Sequence, residues 1–102
     1  MTDRVVPVQV VTDKWGAKTE TDLSEEIARV EDYNRLITDD KGQEVMGDML
    51  LILKPDTAIK RGYKIKIKTK QGVAFEQPDK KFLIKRYSQV GNFSSQYFEV
   101  YV

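Results

Sequence analysis

Residues 63–70 alternate without exception. Tyr63, Ile65, Ile67 and Thr69 hold one parity, and Lys64, Lys66, Lys68 and Lys70 the other. Successive side chains of a strand point to opposite faces, whereas a helix would scatter both sets around its circumference. This stretch therefore reads as a strand with one side in a core and a lysine row on the other. The rest of the chain reads the same way. Residues 4–12 hold Val5, Val6, Val8, Val10 and Val11, β-branched residues that suit a pleated strand. Residues 44–54 form the most apolar stretch and read as a central strand after the Asp40-Lys41-Gly42 turn. Residues 81–88 and 96–102 are two further strands, the second with Phe98, Val100 and Val102 on one side, and Gly91-Asn92 suits a loose hairpin between them.

Turn signals recur between these runs, at Trp15-Gly16, Lys54-Pro55-Asp56, Arg61-Gly62, Gln71-Gly72 and Gln77-Pro78-Asp79. Short β-rich runs so punctuated predict an all-β chain, a small β-barrel or sandwich. The 102 residues contain no repeat, low-complexity stretch or linker, so residues 1–102 read as a single domain. One segment resists. Residues 22–37 begin with Asp22 and Glu25 at capping-box spacing, and Ile27, Val30, Tyr33 and Ile37 then form a helical stripe. On pattern alone a short helix is expected within 22–37, although residues 27–30 also fit a short strand.

Chemistry is sparsely provided for. The chain has no Cys and no His, which removes a disulfide framework, thiolate zinc sites, a Cys nucleophile and the usual general base at neutral pH. The adjacent acids Glu25-Glu26, Glu31-Asp32 and Asp39-Asp40 point to opposite faces of a strand and make poor acid–base pairs. Asp39-Asp40-Lys41-Gly42 lacks the ligand spacing of a calcium loop, and the scattered glycines build no phosphate cradle. No enzyme, metal or cofactor is expected. The longest apolar run, residues 49–53, is far short of the roughly 20 residues of a membrane span, and no signal peptide is apparent. A cytoplasmic product agrees with the missing Cys.

The net charge of +1 hides a division. Residues 1–53 carry six basic against twelve acidic residues, a net of −6, and residues 54–102 eleven against four, a net of +7. Two explanations stand: acidic and basic strands that neutralise each other inside one sheet, or opposed surfaces that meet charged partners. Lys64, Lys66, Lys68 and Lys70 stand about 6.8 Å apart along one face, close enough for their potentials to reinforce. They are candidates to face a polyanion or an acidic partner, and a solvated face that discourages edge-to-edge aggregation explains them equally. The aromatics nearby, Tyr63, Phe75, Phe82 and Tyr87, form no base-stacking motif and read as core. Trp15 reads first as a loop aromatic folded over a sheet end, and second as an exposed anchor for a partner.

The order of these features resembles phage head closure proteins, the small neck or head–tail connector components also called stoppers. A β-branched strand leads to Asp13-Lys14-Trp15-Gly16-Ala17, similar to that family's aspartate and aromatic-glycine turn. Ala28-Arg29-Val30-Glu31 resembles its Arg-containing strand. Residues 35–45, through Asp39-Asp40-Lys41-Gly42-Gln43-Glu44-Val45, resemble its D-x-x-G-x-E-V hairpin. Residues 58–65 resemble its I-x-x-G-D-x-I turn, with Tyr63 where Asp is usual, and the chain finishes on Phe98-Glu99-Val100-Tyr101-Val102, like its E-V-Y-hydrophobic strand.

The resemblance implies a small β-barrel or sandwich with an extended loop, in which residues 22–37 are strand and loop. It implies an architectural role without cofactor or membrane. Copies would form a ring between the portal/adaptor ring and the tail or tail-terminator proteins, closing the DNA channel after packaging and supporting tail joining. The location implied is the virion neck, and the bacterial host cytoplasm for a prophage product. Trp15, Gly16, Asp39, Asp40, Lys41 and Gly42 become candidate interface loops, and the lysine row would meet a neighbouring copy or packaged DNA. The alternative is a small β-barrel that binds nucleic acid through Lys64, Lys66, Lys68 and Lys70, with salt-sensitive affinity.

Overall fold

A computed structural model describes residues 3–92 and 95–102, and it is all-β. The strands are β1 (Asp3–Thr12), β2 (Lys18–Asp22), β3 (Glu26–Thr38), β4 (Glu44–Leu53), β5 (Lys64–Ile67), β6 (Thr69–Lys70), β7 (Val73–Ala74), β8 (Phe82–Leu83), β9 (Arg86–Asn92) and β10 (Ser95–Tyr101). The main sheet is antiparallel in the order β8-β5-β1-β3-β4-β10-β9, with β2 also on β1.

The two ends of that order are one stretch of chain. Phe82 and Leu83 pair with β5, and the Ile84 N–H still points that way, to the Tyr63 carbonyl at 3.4 Å. The next residue, Lys85, donates instead to Tyr101 of β10 at 2.7 Å, and β9 continues along β10. Residues 82–92 thus join both edges and close the sheet on itself, the barrel among the two expected architectures. Residues 81–88 are therefore not one strand, because the chain changes partner at Ile84. Gly91 and Asn92 are likewise strand, paired with Gln96 and Ser95. The link expected at Gly91-Asn92 is therefore not there, and residues 93–94 lie outside the described residues.

β1 is the hub. Asp3 to Val5 pair with β3, Val8 to Thr12 with β2, and Val5 to Val8 with β5 on the opposite edge. Pro7 fits because it lies at the gap between β3 and β2. Its carbonyl accepts the Leu23 N–H at 2.8 Å there, and no ladder bond needs the missing N–H.

Residues 22–37 are not helical. Glu25 meets Arg4 at 3.8 Å rather than capping a helix, and β3 buries Ala28 and Val30 at a spacing of two. The pairing with β4 then slips between Asp32 and Arg35, with Asn34 at φ 39°. This bulge re-phases the alternation, so Ile37 also turns inward. A strand whose inward parity changes once leaves the mixed spacing that resembles a helical stripe.

The expected 63–70 strand is also split, since β6 leaves β5 to pair with β7 through Gln71 and Gly72, both at positive φ. Its parity nevertheless holds: Ile65 and Ile67 are fully buried. Tyr63, Phe75, Phe82 and Tyr87 pack against the core, as the sequence suggested. Val100 of β10 and Val102 just beyond it line the core.

Candidate functional site

Each of the four lysines meets a carboxylate of its own chain. Lys64 reaches Glu20 at 2.6 Å, Lys66 reaches Asp22 at 2.6 Å, Lys70 pairs with Asp32, and Lys68 lies 3.7 Å from Asp79. Lys81 adds a second ammonium to Glu20 at 2.7 Å. The topology explains the Lys64 and Lys66 pairs. β2 and β5 flank β1, about 10 Å apart at ordinary strand spacing, which a lysine side chain can bridge. Cross-strand partners share a face. Val6 lies opposite Lys66, and Val8 lies opposite both Lys64 and Asp22. These two ion pairs therefore arch over the outer side of β1, where Val8 is fully buried and Val6 nearly so. Lysine stems cover apolar surface while their heads find acid.

Two ammonium groups hydrogen-bonded to Glu20 hold its carboxyl far below the usual range, at about 2. Lys66, by the same kind of bond, lowers Asp22. Much of the division between the −6 and +7 halves is thus cancelled inside the sheet, the first of the two explanations offered by the sequence.

A group whose pKa falls on folding stabilises the fold above its unfolded value, here about 4.3. That contribution is lost as the pH drops toward 2. Glu20→Gln should lower the melting temperature at pH 7 by a margin that shrinks steadily between about pH 4.5 and 2. Thermal melts across that range check it, and a margin independent of pH would refute the assignment.

The adjacent acids are similarly engaged. Glu26 accepts the Ala58 N–H at 2.8 Å and the Thr57 hydroxyl, Glu31 pairs with Arg29 at 2.6 Å, and Asp40 lies 3.3 Å from Arg61. Among the described residues no three acids gather as a metal site.

The two loops singled out in the sequence have one design. Asp13 Oδ1 accepts the N–H groups of Trp15 (2.8 Å) and Ala17 (2.9 Å), and Gly16 sits at φ +84°. Asp39 Oδ1 accepts those of Lys41 (2.9 Å) and Gln43 (2.8 Å), and Gly42 sits at φ +81°. In D-x-x-G the carboxylate ties down the turn, and glycine supplies a conformation costly for other residues. Both hairpins therefore end in ordered tips. Trp15 is 80% exposed, so it does not fold over a sheet end, and the Lys14 ammonium stands 4.9 Å above its ring. The turn spans too few residues to bring the ring back onto the body.

One apolar surface escaped the sequence reading. Leu36 and Met46 are cross-strand partners on the β3–β4 hairpin, 66% and 50% exposed. The signal available was the pair of doublets Leu36-Ile37 and Val45-Met46, since adjacent residues of a strand cannot both face a core. Asp3 was missed as well. It is 2% exposed and accepts the N–H groups of Val30 (3.0 Å) and Gly72 (2.9 Å). No family model, curated protein or solved structure matches the chain.

Proposed function

We propose that this chain is an architectural subunit of a tailed-phage neck. Copies ring the channel between portal/adaptor and tail, close it after DNA packaging and support tail joining. The reading rests on the ordered resemblance to head closure proteins along the chain. The observation that carries it further is the exposed Trp15 on a turn braced by Asp13. A large aromatic held in solvent by an ordered backbone is suited to anchoring a protein partner, since little entropy is lost on contact. The pairing of Lys64, Lys66, Lys68 and Lys70 with internal acids counts against the nucleic-acid alternative, which needs those charges free for phosphate.

The test is assembly of the purified protein on the portal–adaptor complex encoded in the same genome, viewed by electron microscopy. A ring of added density is expected, and absence of binding would sink the reading. Trp15→Ala should weaken that binding by about tenfold or more. Because the ring is solvent-exposed, the same variant should keep its stability within roughly 0.5 kcal/mol.

A further inference from the structure

The two hairpin tips are complementary to each other and leave opposite ends of the body. β1 runs into the Asp13–Ala17 turn, and β3, antiparallel to it, runs into the Asp39–Gln43 turn. At the first tip Trp15 is flanked by Lys14 and Lys18, neither with an ion-pair partner among the described residues, while Asp13 is engaged by backbone N–H groups. On the second hairpin Leu36 and Met46 form an exposed apolar pair. Glu44 and Asp48 share the face of Met46 by strand parity and flank it on either side. Glu44 has no ion-pair partner among the described residues, and Asp48 keeps a 60% exposed side chain at 3.8 Å from Lys85.

We infer that these surfaces bind each other between copies: the Trp15 tip of one copy docks on the Leu36–Met46 face of the next. Indole meets leucine and a methionine thioether, a favourable sulfur–aromatic pairing, and the ammonium groups of Lys14 and Lys18 meet the Glu44 carboxylate, with Asp48 shared with Lys85, whose ammonium donates to the Met46 carbonyl at 2.6 Å. Tip-to-tip contact is disfavoured, because it sets Lys14 and Lys18 of one copy against those of the other. The contact is therefore heterologous, the kind from which rings are built. It deepens the ring reading by naming the contact between neighbours.

The chain has no cysteine, so introduced thiols report without background. Ala17 and Thr38 are exposed; Ala17 closes the Trp15 turn, and Thr38 lies at the edge of the second face, opposite Glu44, and neither is one of the apolar or charged groups in the contact. Ala17→Cys and Thr38→Cys proteins are mixed in equal amounts at high concentration and mildly oxidised. The mixed disulfide should exceed the statistical share, twice either homodimer, by about tenfold or more, the scale of one interfacial tryptophan. Adding Trp15→Ala to the first protein, or Leu36→Ser to the second, should return the yield to that share. A statistical yield in the unmodified pair, or an excess that survives both changes, overturns the inference. Portal binding is scored separately. A statistical yield with portal binding intact retires this contact alone, whereas specific cross-linking without portal binding retires the neck reading.

Discussion

Asp3→Ala should destabilise the protein by about 3 kcal/mol, the scale of leaving two buried N–H donors without a charged acceptor. For a domain of this size that lowers the melting temperature by roughly 10–25 °C. The carboxylate joins three parts of the fold: it sits on β1, takes the Val30 N–H from β3 and takes the Gly72 N–H from the β6–β7 turn. Burial alone would raise its pKa, but the backbone N–H groups of Gly72, Val30 and Gln71 outweigh that, and the carboxyl is held below its ordinary value. Its contribution is therefore complete above the unfolded pKa of about 3.9 and is lost as the pH falls through the lower folded value. Thermal melts across acid pH should show a shallower dependence for the variant. Asp3→Asn should recover part of the loss, since its amide oxygen can still accept one N–H. A variant melting within 3 °C of the parent would contradict the role.

The second large effect is expected at Ile59, in the loop between β4 and β5. Ile59 is fully buried although it lies in no strand. It reaches the core because Glu26 ties down the two preceding residues, Thr57 and Ala58. Ile59→Ala should cost about 2–5 kcal/mol through lost burial and the cavity left behind. Leu83→Ala, at a site 60% exposed, should change stability by no more than roughly 0.5 kcal/mol. Urea titrations check both, the Ile59 variant moving its midpoint at nearly constant slope. Equal effects would mean that the loop does not plug the core.

What the sequence made legible was local and periodic. The alternation of 63–70 placed Ile65 and Ile67 inside and the lysines outside without any knowledge of neighbours. The destination of the ammonium groups depended on β2 lying across β1, a tertiary fact that no local spacing carries. Residues 22–37 misled because a single bulge at Tyr33-Asn34 shifts the inward parity. Pattern counting assumes one period per element, so the mixture resembled a helix, residues 27–30 alone also fitted a short strand, and the family resemblance turned the balance toward strand. Trp15 could be placed in a turn but not in or out of solvent, because that depends on how far the hairpin projects. Asp3 gave no signal at all, its partners being distant in sequence.

Closure through residues 82–92 also bears on how the chain folds. β1 pairs with β5, and the segment that seals the sheet follows both, so the ring of backbone hydrogen bonds cannot be completed until nearly all of the chain has collapsed. Contacts so distant in sequence place such a barrel among slow folders, on a timescale of roughly milliseconds to seconds. Until then the outer edges of β5 and β10 stand unpaired together. The interval before sealing, rather than the finished barrel, is when the chain is most open to pairing with the wrong neighbour.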